Sequence, residues 1–294
     1  MFVAQVEDAV ILAGGLGTRM LPASLFMPKE TMPLVDTPIL NHLIWEAAKA
    51  GVSRVHLVLS ERKMKILAEF LENGPIFDKD VRSDLPRESL QLGTDEVEVI
   101  PHVQPTAGGV ADAISVALGS IDGPFIVLLG DNLLMDRHVS PEFSGTRNAS
   151  SASLKLVEDF ECNGLPCVGV LPVDASESSK YGVVELSGNM AIGIIEKPHS
   201  SESVMEYILC GRYLFPENTA SILDEYPISD FGELQSIHLL NHLIEEGGLR
   251  AIKLDNMEMY DSGDPLSWLK SQIDHALNRE DIGNKLAKWL SERM

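Results

Sequence analysis

Residues 13 to 33 read Ala-Gly-Gly-Leu-Gly-Thr-Arg-Met-Leu-Pro-Ala-Ser-Leu-Phe-Met-Pro-Lys-Glu-Thr-Met-Pro. An apolar segment runs straight into Gly14, Gly15 and Gly17; Arg19 follows, and Lys29 stands between two prolines. Glycines strip side chains from a loop, so its backbone N–H groups can approach an anion closely. Arg19 and Lys29 place fixed positive charge beside that cradle. The chemistry this set supports is the handling of a triphosphate. The loop is not G-x-x-x-x-G-K-[ST], because no such lysine follows, and it is not G-x-G-x-x-G, because Met20 stands three residues after Gly17.

Carboxylates supply the second half of the chemistry. Val127-Leu128-Leu129-Gly130-Asp131-Asn132 puts Asp131 just past the end of an apolar strand, where open α/β sheets collect their ligands. Asp131 is a candidate Mg²⁺ ligand, with a helix-capping loop aspartate as the alternative. Tyr260-Asp261-Ser262-Gly263-Asp264 supplies a second candidate. Magnesium takes about six oxygens, usually one or two from carboxylates and the rest from phosphate and water. Asp131 and Asp261 suit one shared ion, whereas Asp264, followed by Pro265, suits a helix cap. Ile194-Ile195-Glu196-Lys197-Pro198 places an acid and a base at a strand end. Pro198 predicts an extended backbone at Lys197. Lysine suits a phosphate and glutamate suits sugar hydroxyls; a solvated Glu-Lys pair is the plain alternative. The eight histidines form no G-x-S-x-G or H-E-x-x-H context and are expected to be packing or surface residues.

The whole pattern G-G-x-G-T-R…P-K-E-x-x-P-L-x-D-x-P-I resembles the signature of the sugar-1-phosphate nucleotidyltransferases, which join a nucleoside triphosphate to a sugar phosphate. The likeness runs from about Ala9 to Leu290. It implies that Ala13, Gly14, Gly15 and Gly17, with Gln104, Gly108 and Gly109, bind the nucleotide. Gln104 would offer its amide to a pyrimidine edge; a glycine-rich helix start is the alternative for that segment. Arg19, Lys29 and Lys197 take catalytic roles by the same resemblance. Arg19 and the loop amides hold the departing pyrophosphate, and Lys29 neutralises charge around the α-phosphate. Gly182, Glu196 and Lys197 hold the sugar phosphate, and Asp131 and Asp261 hold Mg²⁺. Gly232-Glu233-Leu234-Gln235 resembles a further family segment near the sugar. Gly108-Gly109-Val110-Ala111-Asp112-Ala113 is closer to the thymidylyltransferase branch than to the G-L-G-H-A of the uridylyltransferases. Pro28-Lys29-Glu30, the insertion after Asn73 and the segment from Ala276 to Gly283 lean to the uridylyltransferases. The implied reaction is uridylyl transfer from UTP to glucose 1-phosphate. The alternatives are dTTP as donor and a non-catalytic nucleotide-sugar-binding regulator, which the presence of all five charged site residues disfavours. A homo-dimer or homo-tetramer is implied.

The elements that must position these residues follow from periodicity. Strands are expected at Ala9–Ala13, Val55–Leu59, Val97–Ile100 and Phe125–Leu129. They alternate with helices from Thr37-Pro38 to Gly51, Glu61 to Leu71 and Ala107–Leu118. Asn73–Glu96 reads as a surface insertion. Further strands are expected at Ala152–Val157, Val168–Val173, Gly182–Leu186, Ile192–Ile195 and Tyr207–Phe215, then helices at Glu233–Glu246, Asp264–Leu277 and Ile282–Ser291. Leu266, Leu269, Ile273 and Leu277 mark one face of the penultimate helix. The expected fold is α/β: a Rossmann-like, mixed but mostly parallel central sheet with helices on both faces. A catalytic domain over 1–262 and a helical tail over 263–294 complete it.

Composition bounds the partners. The chain has 294 residues, 45% hydrophobic, and a net charge of −21, which argues against nucleic acid. Long-range repulsion of a polyanion is screened beyond about 8 Å in physiological salt, so binding rests on local cations, backbone donors and a metal ion. No apolar run is long enough for a membrane span, and Glu7 and Asp8 argue against a secretory leader. Three cysteines are too few and too odd for a disulfide framework; reduced thiols and a cytoplasmic location are expected.

Overall fold

The structure, a computed structural model, describes residues 5–73, 85–198, 205–232 and 235–293. Its first half runs β1 (Asp8–Ala13), β2 (Pro33–Leu34), β3 (Thr37–Pro38), α1 (Ile39–Lys49), β4 (Arg54–Ser60), α2 (Glu61–Asn73), β5 (Glu98–Gln104), α3 (Val110–Leu118), β6 (Phe125–Leu129) and β7 (Asn132–Met135). The second half continues with α4 (Ala152–Asn163), β8 (Cys167–Asp174), α5 (Ala175–Ser178), β9 (Gly182–Ser187), β10 (Met190–Glu196), β11 (Met205–Phe215), α6 (Thr219–Glu225) and α7 (Ile228–Phe231). It ends with α8 (Gln235–Glu246), β12 (Leu249–Lys253), β13 (Glu258–Asp261), α9 (Pro265–Asn278) and α10 (Gly283–Ser291).

Nine strands form one sheet in the order β5-β4-β1-β6-β11-β8-β12-β10-β9. Side chains on successive strand residues point to opposite faces, and the core divides accordingly. Ala9 and Ile11 of β1, with Leu57 and Leu128, pack against α1, α2 and α4. Val10, Val58 and Val127 pack on the other face against α3, α6 and α8. Helices on both faces are therefore as expected. The sheet is not mostly parallel, however. β5, β4, β1 and β6 run parallel and β12 is parallel to β8, but β11 is antiparallel to β6, β8 and β9, and β10 to β9 and β12. The short connections of the second half permit hairpins, whereas parallel crossovers need a dozen or more residues.

Other expectations change locally. Ala152–Val157 is not a strand but the start of α4. Ala152, Leu156, Val157 and Phe160 form its buried face, a helical spacing hidden in a window that stops before Phe160. Thr37 and Pro38 form β3, paired to β2, and Pro38 rather than Thr37 precedes α1. Of the segment expected as a surface insertion, residues 74–84 lie outside the described residues. Its last part is docked on the body: Asn41 donates to Gln91 O at 2.9 Å and Trp45 Nε1 to Gly93 O at 3.2 Å. Among the described residues no helix is long and apolar enough to cross a membrane.

Helix α9 is turned over relative to expectation. Leu266 and Leu269 are 61% and 50% exposed, while Ser271, His275 and Ala276 face the body. The inward face is polar because it grips the β2–β3 turn. Gln272 Oε1 accepts from Val35 N at 2.6 Å, and its Nε2 donates to Pro33 O at 2.7 Å. Val35 has φ 62°, a conformation costly for a β-branched residue, and the Gln272 clamp holds it. The expected cap is present: Asp264 Oδ1 accepts from Leu266 N and Ser267 N, both at 3.0 Å, and its Oδ2 accepts from the Ser267 hydroxyl at 2.7 Å. The bond from the Ser267 hydroxyl, aided by the Ser267 amide, lowers the Asp264 carboxyl below its ordinary value. A depressed carboxyl stabilises the fold above its unfolded-state pKa, and that contribution is lost as pH falls through the folded value. Asp264→Ala should therefore cost about 1 kcal/mol in urea unfolding at neutral pH, with the gap to wild type closing on acidification.

Candidate active site

Gly14, Gly15, Gly17, Arg19, Lys29, Gln104, Gly109, Asp131, Gly182, Glu196 and Lys197 all line one cleft of about 690 Å³. It lies off the carboxyl ends of β1, β5 and β6, closed on the far side by the start of β9 and the end of β10. The glycine loop follows β1 directly. Gly17 is left-handed at φ 66°, and its carbonyl accepts from Ser24 Oγ at 2.8 Å. Ala13 does not face the cleft. Its carbonyl accepts from Lys63 Nζ at 2.7 Å.

Lys29 and Asp131 meet: Nζ lies 2.6 Å from Oδ2, with Lys29 only 8% exposed. Behind them Lys63, on α2, also donates to both oxygens of Glu30, at 2.9 and 2.7 Å. Burial pushes the Glu30 carboxyl up and the Lys63 ammonium down, against their mutual attraction. The pair ties the Pro28-Lys29-Glu30 segment to the end of β1 and so fixes the direction of Lys29. No motif pointed to Lys63; its only signal was a basic residue in the first turn of an expected helix.

Asp261 stands beside Asp131 because β7 and β13 form a separate two-stranded ribbon in which Asp261 is opposite Asn132. Ser262 N donates to Asp131 O at 3.0 Å, and Gly263 N donates to Asp261 Oδ1 at 2.6 Å. A Cβ on Gly263 would lie 2.7 Å from Arg19 Nη2 and 2.8 Å from Asp261 Oδ1, so the guanidinium and the carboxylate converge over that glycine. Burial raises the Asp261 carboxyl, and the negative charge of Asp131 adds to it, opposed by the Gly263 N–H. Two partly buried, mutually repelling carboxylates suit a divalent cation. Among the described residues no group of three or more His, Cys, Asp or Glu side chains is arranged for a metal, so an ion held here would need its remaining oxygens from phosphate and water.

On the opposite wall Gly182 is paired with Glu196. A Cβ at Gly182 would meet Leu209 at 3.0 Å and Glu196 Oε2 at 3.1 Å. Lys197 Nζ lies 3.3 Å from Glu196 Oε1 and its side chain is 62% exposed. Its backbone is not extended: φ is 45°. Lys197 N donates to Tyr181 O at 3.0 Å, and closing this last bond of the hairpin turns the chain against the local preference set by Pro198. Gly109 faces the cleft, but Gly108 does not. Its N–H is bonded to Asp112 Oδ2 at 3.2 Å. Glu233 and Leu234 lie outside the described residues.

Among the described residues no histidine lines this cleft; His199 lies outside them. His42 and His275 are buried, which lowers them to about 4 and about 3; His275 packs against His138, Nδ1 to Nδ1 at 3.0 Å. Both are neutral packing groups at physiological pH.

A glycine loop, three cations and a carboxylate pair gathered off the carboxyl ends of the strands can neutralise and align two polyanions. The chain belongs to the nucleotidyl transferase family, whose model it matches over residues 8–276. It is 28% identical to UTP–glucose-1-phosphate uridylyltransferase 1 of Staphylococcus saprophyticus over 97% of this chain and 98% of that one. It is also 28% identical to UTP–glucose-1-phosphate uridylyltransferase of Streptococcus pyogenes, over 97% and 95%. The fold is similar to that of a UDP-glucose pyrophosphorylase from Acinetobacter baumannii, with a TM-score of 0.80 and 25% identity over 99% of this chain and 100% of that one.

Proposed function

We propose that this protein transfers the uridylyl group of UTP to glucose 1-phosphate, forming UDP-glucose and pyrophosphate. The observation that carries the reading is the convergence of the glycine loop, Arg19, Lys29, Asp131 and Lys197 on one cleft. Near-full-length similarity to two uridylyltransferases supports the choice of substrates. The sugar phosphate oxygen attacks the α-phosphorus in line, and pyrophosphate departs. Because the nucleophile is already anionic, no general base is required, and the acceleration comes from positioning and charge neutralisation. The glycine-loop amides and Arg19 bind the departing pyrophosphate. Lys29 offsets charge gathering at the α-phosphate, and Glu196 and Lys197 orient the sugar phosphate. Asp131 and Asp261 would hold Mg²⁺, which supplies a Lewis acid for phosphate oxygens.

Pyrophosphate release, measured while crossing UTP, dTTP, CTP and ATP with several sugar 1-phosphates, tests the reading. UTP with glucose 1-phosphate is expected to give the highest kcat/KM. A higher value for dTTP would move the protein to the thymidylyl branch, which its Gly109-Val110-Ala111-Asp112 segment favours. No release from any pair would remove the enzymatic reading.

A further inference from the structure

Gln104 ends β5, and its side-chain amide lies between the glycine loop and α3. Nε2 donates to Asp112 Oδ2 at 2.6 Å and to the Gly109 carbonyl at 3.5 Å. The same Asp112 oxygen accepts the Gly108 N–H. A carboxylate and a peptide carbonyl both accept and neither donates. Each therefore demands the NH₂ end of the amide, so its orientation follows from its partners. The carbonyl end points the other way and lies over Gly14, where a Cβ would collide with Oε1. Gln104 lines both the main cleft and an adjoining cavity of about 260 Å³ that also includes Gly14, Pro105 and Ala107. With its donors engaged, the amide offers only an acceptor to a base resting on the glycine loop.

We propose that Asp112 is a positioning residue for base selection. It locks the Gln104 carbonyl toward the nucleotide, so that the site accepts a base carrying an imide N–H, uracil or thymine, and rejects cytosine, whose N3 is itself an acceptor. The inference rests on nucleotide binding at this cleft as proposed above. An acceptor facing an acceptor forfeits the hydrogen bond and leaves both groups unmatched, which is worth roughly tenfold to a hundredfold in affinity.

The test compares wild type with Asp112→Ala. Alanine removes the acceptor shared by Gln104 Nε2 and the Gly108 N–H and leaves only the 3.5 Å contact with the Gly109 carbonyl, so the glutamine is free to turn over and present its NH₂ group to the base. Two readouts are taken on protein whose melting temperature has been measured: kcat/KM for UTP, dTTP and CTP with glucose 1-phosphate, and Kd for each triphosphate alone by calorimetric titration. The UTP:CTP ratio is expected to fall by roughly tenfold or more, through KM and Kd rather than kcat, with dTTP following UTP. An unchanged ratio in the folded variant overturns the proposal, as does a change that separates dTTP from UTP. Should the alanine variant fail to fold, Asp112→Val, which likewise offers the glutamine no acceptor, is held to the same ratio. Wild type that binds triphosphates selectively but releases no pyrophosphate refutes the proposed reaction and leaves the Asp112 test standing on the titrations.

Discussion

Lys29→Ala should lower kcat by on the order of 10²–10³-fold, the effect of removing one well-placed charge-stabilising group from a water-poor site. Lys29 is nearly buried, lines the cleft and holds its ammonium against Asp131. Its direction is set from behind by the Lys63–Glu30 pair. A surface lysine could swing in to replace a lost charge, but this site is walled by Glu30, the glycine loop and Asp131, so another cation would have to displace the structure. The measurement is the single-turnover rate of pyrophosphate release at saturating substrates, alongside a melting curve. Turnover within a fewfold of wild type, in a variant that melts normally, would take Lys29 out of the mechanism. Lys29→Arg should recover only part of the rate, because a planar guanidinium does not sit as a point charge in the same space.

The largest stability loss is expected at Glu46. Its carboxylate on α1 accepts Arg212 Nε at 2.7 Å through Oε1 and Arg212 Nη2 at 2.8 Å through Oε2. It also accepts the Ser153 hydroxyl at 2.6 Å and the Ser153 amide at 3.2 Å. Both charged side chains are 1% exposed. One carboxylate thus joins α1, β11 and the first turn of α4 beneath the sheet. Glu46→Ala leaves a guanidinium buried without a counter-charge and should cost about 3–5 kcal/mol in urea unfolding. Replacing both partners, Glu46→Leu with Arg212→Met, should cost less than Glu46→Ala alone, because no uncompensated charge remains. A single-variant loss below about 1 kcal/mol would mean that water reaches Arg212 and the pair is not sealed.

What the sequence disclosed was chemistry confined to short segments. The glycine loop, Leu-Gly-Asp-Asn, Tyr-Asp-Ser-Gly-Asp and Glu-Lys-Pro are each a few residues long, and each lies at a strand end where the backbone alone nearly dictates exposure to a ligand. What it withheld depends on partners distant along the chain. Lys29 is paired to Asp131 and Lys63 to Glu30, and no local pattern encodes such matches. Asp112 is visible only inside a segment that departs from G-L-G-H-A toward the thymidylyltransferase pattern, and that likeness assigns it no role. The fold followed the same rule. β1, α1 and β4 were legible as alternating apolar periods, whereas the four-residue β7 and β13 were missed because neither is long enough to show a period before its partner is known. Lys197 departs from expectation for a related reason: the preference imposed by Pro198 gives way to the bond made across the hairpin.

The ribbon of β7 and β13 has a bearing on how the protein comes into being. Asp131 is synthesised before the middle of the chain and Asp261 near its end, and only the pairing of the two short strands brings their acids side by side. While the ribosome is still extending the central segments, the nascent chain has the glycine loop and Asp131 but not the acid that the ribbon sets beside them. The pairing of the two acids is therefore a property of the finished ribbon, absent from any shorter stretch of the chain that lacks one of its two strands.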